Sequence, residues 1–449
     1  MSKKIKTSPK THSKLNTKKG PRINGILHYG FNHKMEIILL LLLVTHIFFR
    51  FYLLAERAHL GWDEVDAAWA AKRIIVDKEV LFQGPVAKGN SGIYMGPLYY
   101  YLVAPFYYFT NLHPIASPIF AGVMSIVSFL VIYFVTKKIF GVPVGLVAVF
   151  INTFSLYVIN SDRTQSAFTL IPIISYVIFY FLYRIVVKRE PKYIVHLAVS
   201  TGLAFHIDFT AVFFPITILL SLPFFPRIKK TLSSIGRGIP LFLIFLLPTL
   251  LADQKSGNSI STSFTGYLQT YYHGLHIRRV LQLAHDAHIS LEQVLYFKIF
   301  RPLVFLFVPL FAGLYYRVKP ERSSLVFFYI IALWIVVPWI VLSTYSGELT
   351  HYYFALSRNI FIAILAFLTV FIYQKTSVVF RTMLVLFWIG YAVSNIQGFL
   401  RSPGDNLIGT ENFVRSEINA GRTVPFEDKS QSSYMYYVLT GKIGEPVKK

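Results

Sequence analysis

Residues 35–55 read MEIILLLLLVTHIFFRFYLLA, an apolar run long enough to cross the hydrocarbon core of a bilayer as one helix. The segment before it, residues 1–34, holds nine lysines and arginines and no acidic residue. Positive charge beside a spanning helix favours the cytoplasmic side. We therefore predict a basic cytoplasmic tail over 1–34, with the chain emerging on the outer side after residue 55.

The whole chain has the composition of a membrane protein. Of its 449 residues, 54% are hydrophobic and 14% are charged, whereas soluble domains carry roughly a quarter charged residues. We predict an all-α polytopic protein of the plasma membrane, with a transmembrane domain over 35–398 and about eleven transmembrane helices. After the first, the apolar runs are 116–136, 142–160, 167–187, 192–207, 209–226, 236–252, 299–317, 324–343, 354–374 and 381–398.

The net charge of +23 does not indicate a nucleic-acid partner. Beyond the basic tail, the positive charges form short clusters between apolar runs, which is typical of cytoplasmic loops. The tail itself could rest on anionic membrane lipid. Cysteine is absent, which excludes disulfides and thiol catalysis and leaves the redox compartment open.

One aromatic run, GPLYYYLVAPFYYFTNLHP at 96–114, decides the topology. It is short and contains Pro105. If it does not span, the later basic clusters all lie inside; if it spans, they all lie outside. The positive-inside rule therefore predicts a segment in the outer membrane boundary, within a long first outer loop of residues 56–115.

This topology gathers acidic residues on the outer side. The first outer loop opens with HLGWDEVDAAWAAKR (59–73), which contains Asp63, Glu64 and Asp66. Asp162 and Asp208 each lie in a short outer turn between two apolar runs. A charge so close to hydrocarbon is costly, and it usually has a partner or a function.

Two further regions are predicted on the outer side. The second large outer loop, 253–297, has the spacing of an amphipathic surface helix and carries loosely spaced histidines at 273, 276, 285 and 288. The C-terminal region, 399–449, has the pattern of a helix, a glycine stop and a short strand. Its role is left open by the sequence.

Carboxylates at the outer mouth of an apolar bundle suit a transfer reaction with a general base and an anionic leaving group. Transfer of a sugar from a polyprenyl phosphate fits, because phosphate departs with little protonation and nearby cations can neutralise it. Each first-loop acid taken alone could instead cap a helix. Arg163 could simply pair with Asp162, and His206 is more typical of a satisfied polar group at a helix end.

The sequence resembles the GT-C glycosyltransferases, in the branch of the protein O-mannosyltransferases and the lipid A aminoarabinose transferases. The resemblance covers roughly residues 35–375. Its motifs, in chain order, are Trp62-Asp63-Glu64, GIYMGPLYYYLVAPFYYF (92–109), SDRTQSAFTLIP (161–172), GLAFHIDFTAVFFP (202–215) and HYYFALSRN (351–359). The third-loop motif departs from the family pattern, because its histidine is displaced to His206.

The resemblance implies an inverting hexosyl- or pentosyltransferase that uses a polyprenyl-phosphate-linked sugar on the outer face. It assigns the general base to Asp63, with Glu64 as its companion. The other residues that it places at the site are Asp162 as a second-loop acid, Arg163 as a phosphate or acceptor contact, and His351 and Arg358 as phosphate-side cations. Asp208 and Tyr94 are also predicted to contact the substrate. A large domain between later helices, as in eukaryotic members, is missing, which favours a bacterial or archaeal enzyme.

Two other classes of protein are alternatives to this enzyme. A transporter or flippase of a lipid-linked sugar predicts ionisable residues near mid-membrane and broken helices in two related halves, and the sequence has neither pattern. A scaffold or sensor predicts a larger soluble domain. No cofactor is predicted; a divalent metal is possible, but the outer loops lack a DxD pair. The sugar, the prenyl length, the acceptor (protein, lipid or glycan) and the oligomeric state stay open.

Overall fold

The structure, a computed structural model, describes residues 23–87, 93–256, 260–272, 274, 276–283, 294–295, 304–347, 351–402, 404 and 406–446. One compact unit ends at Leu41 and the other comprises Leu42–Lys449; all contacts below lie within the second unit. Pairing between extended segments is limited, in the described residues, to three isolated bridges.

Helices form nearly all of the described chain. In chain order they are α1 (Ile23–Phe51), α2 (Trp62–Ile75), α3 (Leu98–Phe109), α4 (Ala116–Phe140), α5 (Val142–Phe154), α6 (Leu156–Ser161), α7 (Ala167–Val186), α8 (Tyr193–Ala204), α9 (Phe213–Ser221), α10 (Lys229–Ser256), α11 (Ile260–Tyr271), α12 (Val304–Val318), α13 (Arg322–Ser343), α14 (Arg358–Lys375), α15 (Val378–Arg401), α16 (Asn406–Asn419) and α17 (Gln431–Thr440). Short 3-10 helices precede α9 at Phe209–Val212 and α14 at His351–Ser357.

The predicted fold class, an all-α polytopic membrane protein, is confirmed. Each of the eleven apolar runs is mainly helical over its described part. Six helical stretches of the described residues are long and apolar enough to cross a membrane, and four apolar helices are shorter. The run 142–160, for example, divides at Ser155, whose hydroxyl caps α6. The number of crossings, about eleven, therefore stays a prediction.

The segment 96–114 forms the short helix α3. Its 12 residues reach about 18 Å at 1.5 Å per residue, against about 30 Å of hydrocarbon. Tyr108 and Phe109 at its end are 63% and 81% exposed, as expected of aromatic side chains at a membrane boundary. The helix is therefore shorter than the hydrocarbon core, and the position of 96–114 in the outer membrane boundary stays a prediction.

The centre of the bundle is α14. Its residues from Arg358 to Ala366 are all buried, and a helix that is buried all round belongs in a core. It packs against α5, α7 and α12. Thr136 and Tyr176 are hydrogen-bonded between α4 and α7, 2.9 Å apart. This core fixes the ends of the helices from which the predicted outer turns extend.

The C-terminal region follows the predicted pattern in part. Helix α15 continues to Arg401, two residues beyond the predicted boundary at 399. Helix α16 is followed by Gly421, whose φ of +70° suits glycine. The predicted short strand is wrong: in this described stretch Phe426 forms only an isolated parallel bridge with Pro446. The strand pattern there is outweighed by packing, described below.

The loop 253–297 is described only in part. Residues 277–283 are helical; Ile277 and Leu281 are exposed, while Leu283 is buried. This agrees with a helix lying on the protein surface. His273, His285 and His288 lie outside the described residues. Across the part of the chain that the structure describes, no group of three or more histidine or carboxylate side chains is arranged to hold a metal ion.

Candidate active site

A cavity of about 100 Å³ lies between the first outer loop and the turn after α8. Three carboxylates line it: Asp63 and Asp66 from α2, and Asp208 from the turn. The remaining lining residues are Pro85, Val86, Ala87, Met95, Tyr99, Ile207 and Phe209. Residues far apart in sequence thus form one acidic site.

Helix α2 presents two of these carboxylates because of their spacing. Asp63 and Asp66 are three residues apart, which places them on one helix face. Glu64 and Val65, on other faces, are buried. Acidic residues in a first turn also interact favourably with the helix dipole. The sequence WDEVD therefore forms a helix start that directs one face to the protein and another to the cavity.

Asp63 is open to the cavity. The surrounding protein still raises its pKa by desolvation, and the negative charges of Asp66 and Asp208 raise it further. Burial likewise raises the pKa of Asp66, although the Tyr100 hydroxyl donates a hydrogen bond to Asp66 Oδ2 and opposes this effect. The site therefore concentrates carboxylates that hold protons more tightly than in water.

Glu64 lies behind the cavity wall. The backbone N–H of Gly61 donates to Glu64 Oε2 at 2.9 Å, and Glu64 is only 2% exposed. Its Oε1 has no hydrogen-bond partner among the described residues. Desolvation raises the pKa of Glu64 to about 7. The structure thus places Glu64 at the start of α2, where it holds the helix beside Asp63.

Asp208 begins the 3-10 helix Phe209–Val212. Its Oδ1 accepts hydrogen bonds from Thr210 N at 2.8 Å and Thr210 Oγ1 at 2.6 Å. Burial raises the pKa of Asp208, and these bonds oppose the rise. Asp208 also lines a second cavity of about 30 Å³. The tyrosines of that second cavity are Tyr267, Tyr272, Tyr345 and Tyr353. The carboxylate therefore lies between an acidic and an aromatic compartment.

The cavity floor depends on close approach of the backbone. Gly84 N donates to Met95 O at 2.8 Å, and Gly96 N donates to Phe205 O at 3.1 Å. A Cβ on Gly96 would lie 2.0 Å from His206 Nδ1, so only glycine fits. His206 accepts from Leu98 N at 3.3 Å and its Nε2 lies 2.7 Å from Phe245 O. His206 therefore joins α3 to α10. This agrees with the alternative that His206 is a hydrogen-bonded polar group at a helix end.

Asp162 lies in a buried ionic network. Its Oδ2 accepts from Arg50 Nη2 at 2.9 Å and from Arg50 Nε at 3.2 Å. The same guanidinium donates to Thr153 O and Asn152 O, both at 2.8 Å. Arg358 Nη2 lies 3.8 Å from Asp162 Oδ1. Asp162 is not among the residues that line the acidic cavity.

Arg163 satisfies the end of α1. It donates to Phe49 O at 3.0 Å, to Arg50 O at 2.9 Å and to Leu53 O at 3.1 Å. Carbonyl groups at a helix C-terminus need such donors. Arg163 therefore has a structural task, and the simple Asp162 pairing considered from the sequence is not its main contact.

The second outer turn reaches the cavity through Gln165, which was not singled out from the sequence. Gln165 Nε2 donates to the hydroxyl of cavity-lining Tyr99 at 2.8 Å. Tyr107 donates weakly to Gln165 Oε1 at 3.5 Å. Gln165 is fully buried. The sequence signal for Gln165 was its position in SDRTQ, within one of the motifs that carry the resemblance. The signal for Asp66 was its position three residues after Asp63.

Tyr94 and Arg358, two other predicted contacts, are not among the residues that line the cavity. Tyr94 is 40% exposed and forms a bridge with Val86, while its neighbour Met95 lines the cavity. Arg358 is buried; its Nη1 donates to Ser161 Oγ at 3.1 Å, and its Nε has no partner among the described residues. His351 begins a 3-10 helix, and its side chain lies outside the described part.

The C-terminal region packs on the first outer loop. The ring of Trp69 in α2 lies 5.0 Å from Tyr434, 5.3 Å from Tyr437 and 5.8 Å from Phe426, between centroids. Tyr434 also donates to Leu112 O at 2.8 Å. The tail therefore braces the helix that carries Asp63 and Asp66.

The tail also brings positive charge to the acidic site. Lys429 Nζ lies 5.5 Å from the centroid of the Trp62 ring. Its charge lowers the pKa of Asp63 and of Asp66, against the larger effect of burial. Lys429 is 366 residues away from Asp63 in the numbering, so no local pattern could have linked them.

Comparison with known proteins finds one family model that resembles part of this chain. Residues 95–251, less than half of the chain, match the family model described as dolichyl-phosphate-mannose-protein mannosyltransferase. No curated protein sequence is significantly similar to the chain.

Solved structures resemble the whole chain more extensively. ArnT from Cupriavidus metallidurans, bound to undecaprenyl phosphate, has a TM-score of 0.55 at 11% identity over 89% of this chain and 68% of its own. The archaeal oligosaccharyltransferase AglB from Archaeoglobus fulgidus, in complex with an inhibitory peptide and a dolichol-phosphate, has a TM-score of 0.55 at 10% identity, over 92% of this chain and 65% of its own.

These likenesses confirm the predicted resemblance: the chain has the fold of the GT-C glycosyltransferases. Residues 95–251 of that fold resemble the family model of the protein mannosyltransferases. This chain spans about two thirds of the length of either solved structure.

Proposed function

We propose that the protein is an inverting glycosyltransferase. It moves a sugar from a polyprenyl-phosphate donor to an acceptor on the outer face of the membrane. The observation that carries this proposal is the meeting of Asp63, Asp66 and Asp208 at one cavity. The fold supports it, since ArnT holds undecaprenyl phosphate and AglB holds a dolichol-phosphate.

In this proposal Asp63 is the general base. The acceptor hydroxyl loses its proton to Asp63 while its oxygen forms a bond to the anomeric carbon of the sugar. The bond from that carbon to the phosphate oxygen breaks, and its electron pair leaves on the polyprenyl phosphate. Attack opposite the leaving group inverts the anomeric centre. The raised pKa of Asp63 supports this role, because a base is most effective when its pKa approaches the working pH.

The neighbouring residues orient the reactants in this scheme. Asp66 and Asp208 accept hydrogen bonds from sugar or acceptor hydroxyls, and Glu64 positions α2. We assign Asp162 to holding Arg50 and Arg358 in place, since its oxygens face both guanidinium groups. Arg358, with an unpaired Nε among the described residues, and His351 are proposed as the phosphate-side cations. Tyr94 and Arg163 are proposed only as supports of the site.

The test compares Asp63→Asn with wild type in nanodiscs containing a panel of polyprenyl-phosphate sugars and acceptor membranes. We expect the variant to transfer sugar about 100-fold to 10,000-fold more slowly, the usual contribution of a general base. Asp77→Asn is the matched control. Asp77 lies just beyond the same helix and forms an exposed pair with Lys72 at 2.8 Å, so its loss should leave the rate within about two-fold.

Two results would count against the proposal. Equal transfer by Asp63→Asn and wild type would move the base to another carboxylate. Appearance of the intact lipid-linked sugar on the opposite leaflet, with no sugar transferred by wild type, would favour the flippase alternative.

A further inference from the structure

A third and larger cavity lies at the other end of α8 from the acidic cavity. Its volume is about 640 Å³. Helix α8 begins next to Lys192, which lines this cavity, and ends four residues before Asp208 of the acidic site. The two cavities are therefore separated by the length of α8, about 18 Å. By the charge argument from the sequence, the larger cavity faces the cytoplasm.

Positive charge dominates the lining of this cavity. Five of its nine lining residues are basic, and one is acidic. The basic residues are Arg189, Lys192, Lys229, Lys230 and Arg237.

The one carboxylate is already neutralised. Glu190 lies 2.7 Å from Arg184, which is outside the lining, and 3.7 Å from Lys192. No carboxylate of the described residues forms an ion pair with the remaining four cations. Like charges gathered without counter-charge repel one another, and a bound anion would relieve that repulsion.

Backbone carbonyl groups hold two of these cations, Arg189 and Arg237, in place. Arg189 has a left-handed φ of +59°, and its Nη1 donates to Phe224 O at 2.8 Å. Arg237 Nε lies 3.4 Å from Ser233 O. Helices α8 and α10 both begin at this cavity, so two positive helix-dipole ends add to the side-chain charge.

The surroundings indicate a lipid as the source of the anion. The first turns of α10 next to the cavity expose Leu232 at 74% and Ile239 at 53%. Only 11% of the apolar window of α10 is buried within the protein. This apolar face of α10 extends away from the charged cavity. The acyl chains of a lipid whose headgroup occupies the cavity would lie along it. The volume also exceeds the needs of inorganic phosphate and falls in the range of ligand sites.

We propose that this basic cavity, formed between the α7–α8 turn and the start of α10, binds the phosphoryl headgroup of an anionic membrane lipid. Basic pockets between helices on the cytoplasmic side are suited to such headgroups. The proposal is independent of the sugar-transfer reaction, because none of its residues lines the acidic site.

The test measures lipid retention by the full chain, purified in detergent and titrated with phosphatidylglycerol or phosphatidylcholine. Native mass spectrometry counts the bound lipids. We expect wild type to retain phosphatidylglycerol in preference to phosphatidylcholine. The double variant Lys229→Gln with Arg237→Gln should bind phosphatidylglycerol at least about ten-fold more weakly than wild type. The matched control, Lys375→Gln with Arg381→Gln, removes two charges from another predicted cytoplasmic cluster and should bind as wild type does.

Three outcomes would overturn the proposal. Wild type could bind both lipids equally, a result that needs no variant and so does not depend on variant folding. Both double variants could lose phosphatidylglycerol to the same extent, which would indicate a diffuse charge effect. Soluble glycerol 3-phosphate could displace the lipid fully at equal concentration, which would make a free phosphate compound the ligand.

Discussion

At the scale of single residues, adjacent carboxylates in α2 have opposite surroundings. Asp63 is open to the cavity, whereas Glu64 is sealed against the helix start with one oxygen unpaired among the described residues. The one-residue step rotates the side chain by about 100° around the helix. Asp63 is therefore available for chemistry in the cavity, whereas its neighbour Glu64 supports the helix.

Glu64 should make stability depend on pH. Its pKa is about 7 in the folded protein and 4.5 in the reference state, so the folded protein binds the proton more tightly. This contribution is fully present below about pH 4.5 and is lost as pH rises through about 7. Over that window we expect wild type to lose up to about 3 kcal/mol in free energy of unfolding.

Glu64→Gln, which mimics the protonated acid, should remove this pH dependence and be more stable than wild type at pH 8. Thermal unfolding in detergent between pH 4.5 and 8 measures the pH dependence of stability for wild type and variant. Glu79→Gln, at an exposed pair with Arg73, is the control and should follow the wild-type curve. A Glu64→Gln curve parallel to wild type would contradict the assigned environment.

At the scale of elements, the ionic network ties α1 to the turn after α6 and to α14. Asp162→Asn should destabilise the protein by about 3–5 kcal/mol, because it leaves Arg50 buried without its counter-charge. The double variant Arg50→Met with Asp162→Asn should recover most of this loss. Unfolding temperatures of the single and double variants measure the coupling.

A catalytic Asp162 would give a different pattern. In that case Asp162→Asn would unfold at the wild-type temperature and lose sugar transfer. The double variant would then remain inactive without any change in stability.

The elements show what sequence can and cannot predict. Long apolar runs fixed helix positions well, because burial in hydrocarbon depends on local composition. The acidic cluster could also be predicted from local sequence, because Asp63 and Asp66 are only three residues apart. Arg50 as the partner of Asp162, and Gln165 at the cavity, arise from contacts between distant segments, and no local pattern encodes them. The strand expected near Phe426 failed because aromatic packing on Trp69 determines that segment.

The brace between α2 and the tail can be tested through Trp69. Trp69→Ala should remove three aromatic contacts and cost about 3 kcal/mol. Residues 406–446 should then be cleaved by protease at least several-fold faster, and sugar transfer should fall as α2 loses support. Phe413→Ala, at a 51% exposed position of the tail, is the control. Unchanged cleavage of the Trp69 variant would refute the brace.

At the scale of the whole molecule, the membrane topology predicted from the basic clusters places the acidic cavity on the outer side. The chain has no cysteine, so single cysteines report position directly. We expect Lys442→Cys in the tail to react with a membrane-impermeant maleimide in intact cells, because the tail packs on the first outer loop. Lys319→Cys, between α12 and α13, should react only after permeabilisation. The reverse pattern would invert the topology and place the acidic cavity in the cytoplasm.

We propose that a sugar is transferred from its lipid phosphate to an acceptor at the acidic cavity. The most direct measurement is the amount of polyprenyl phosphate released by purified wild-type protein, counted against sugar gained by the acceptor, across a panel of donors. We predict one polyprenyl phosphate released for each sugar transferred, from one preferred donor. Recovery of every donor intact, while acceptors gain nothing, would contradict the claim.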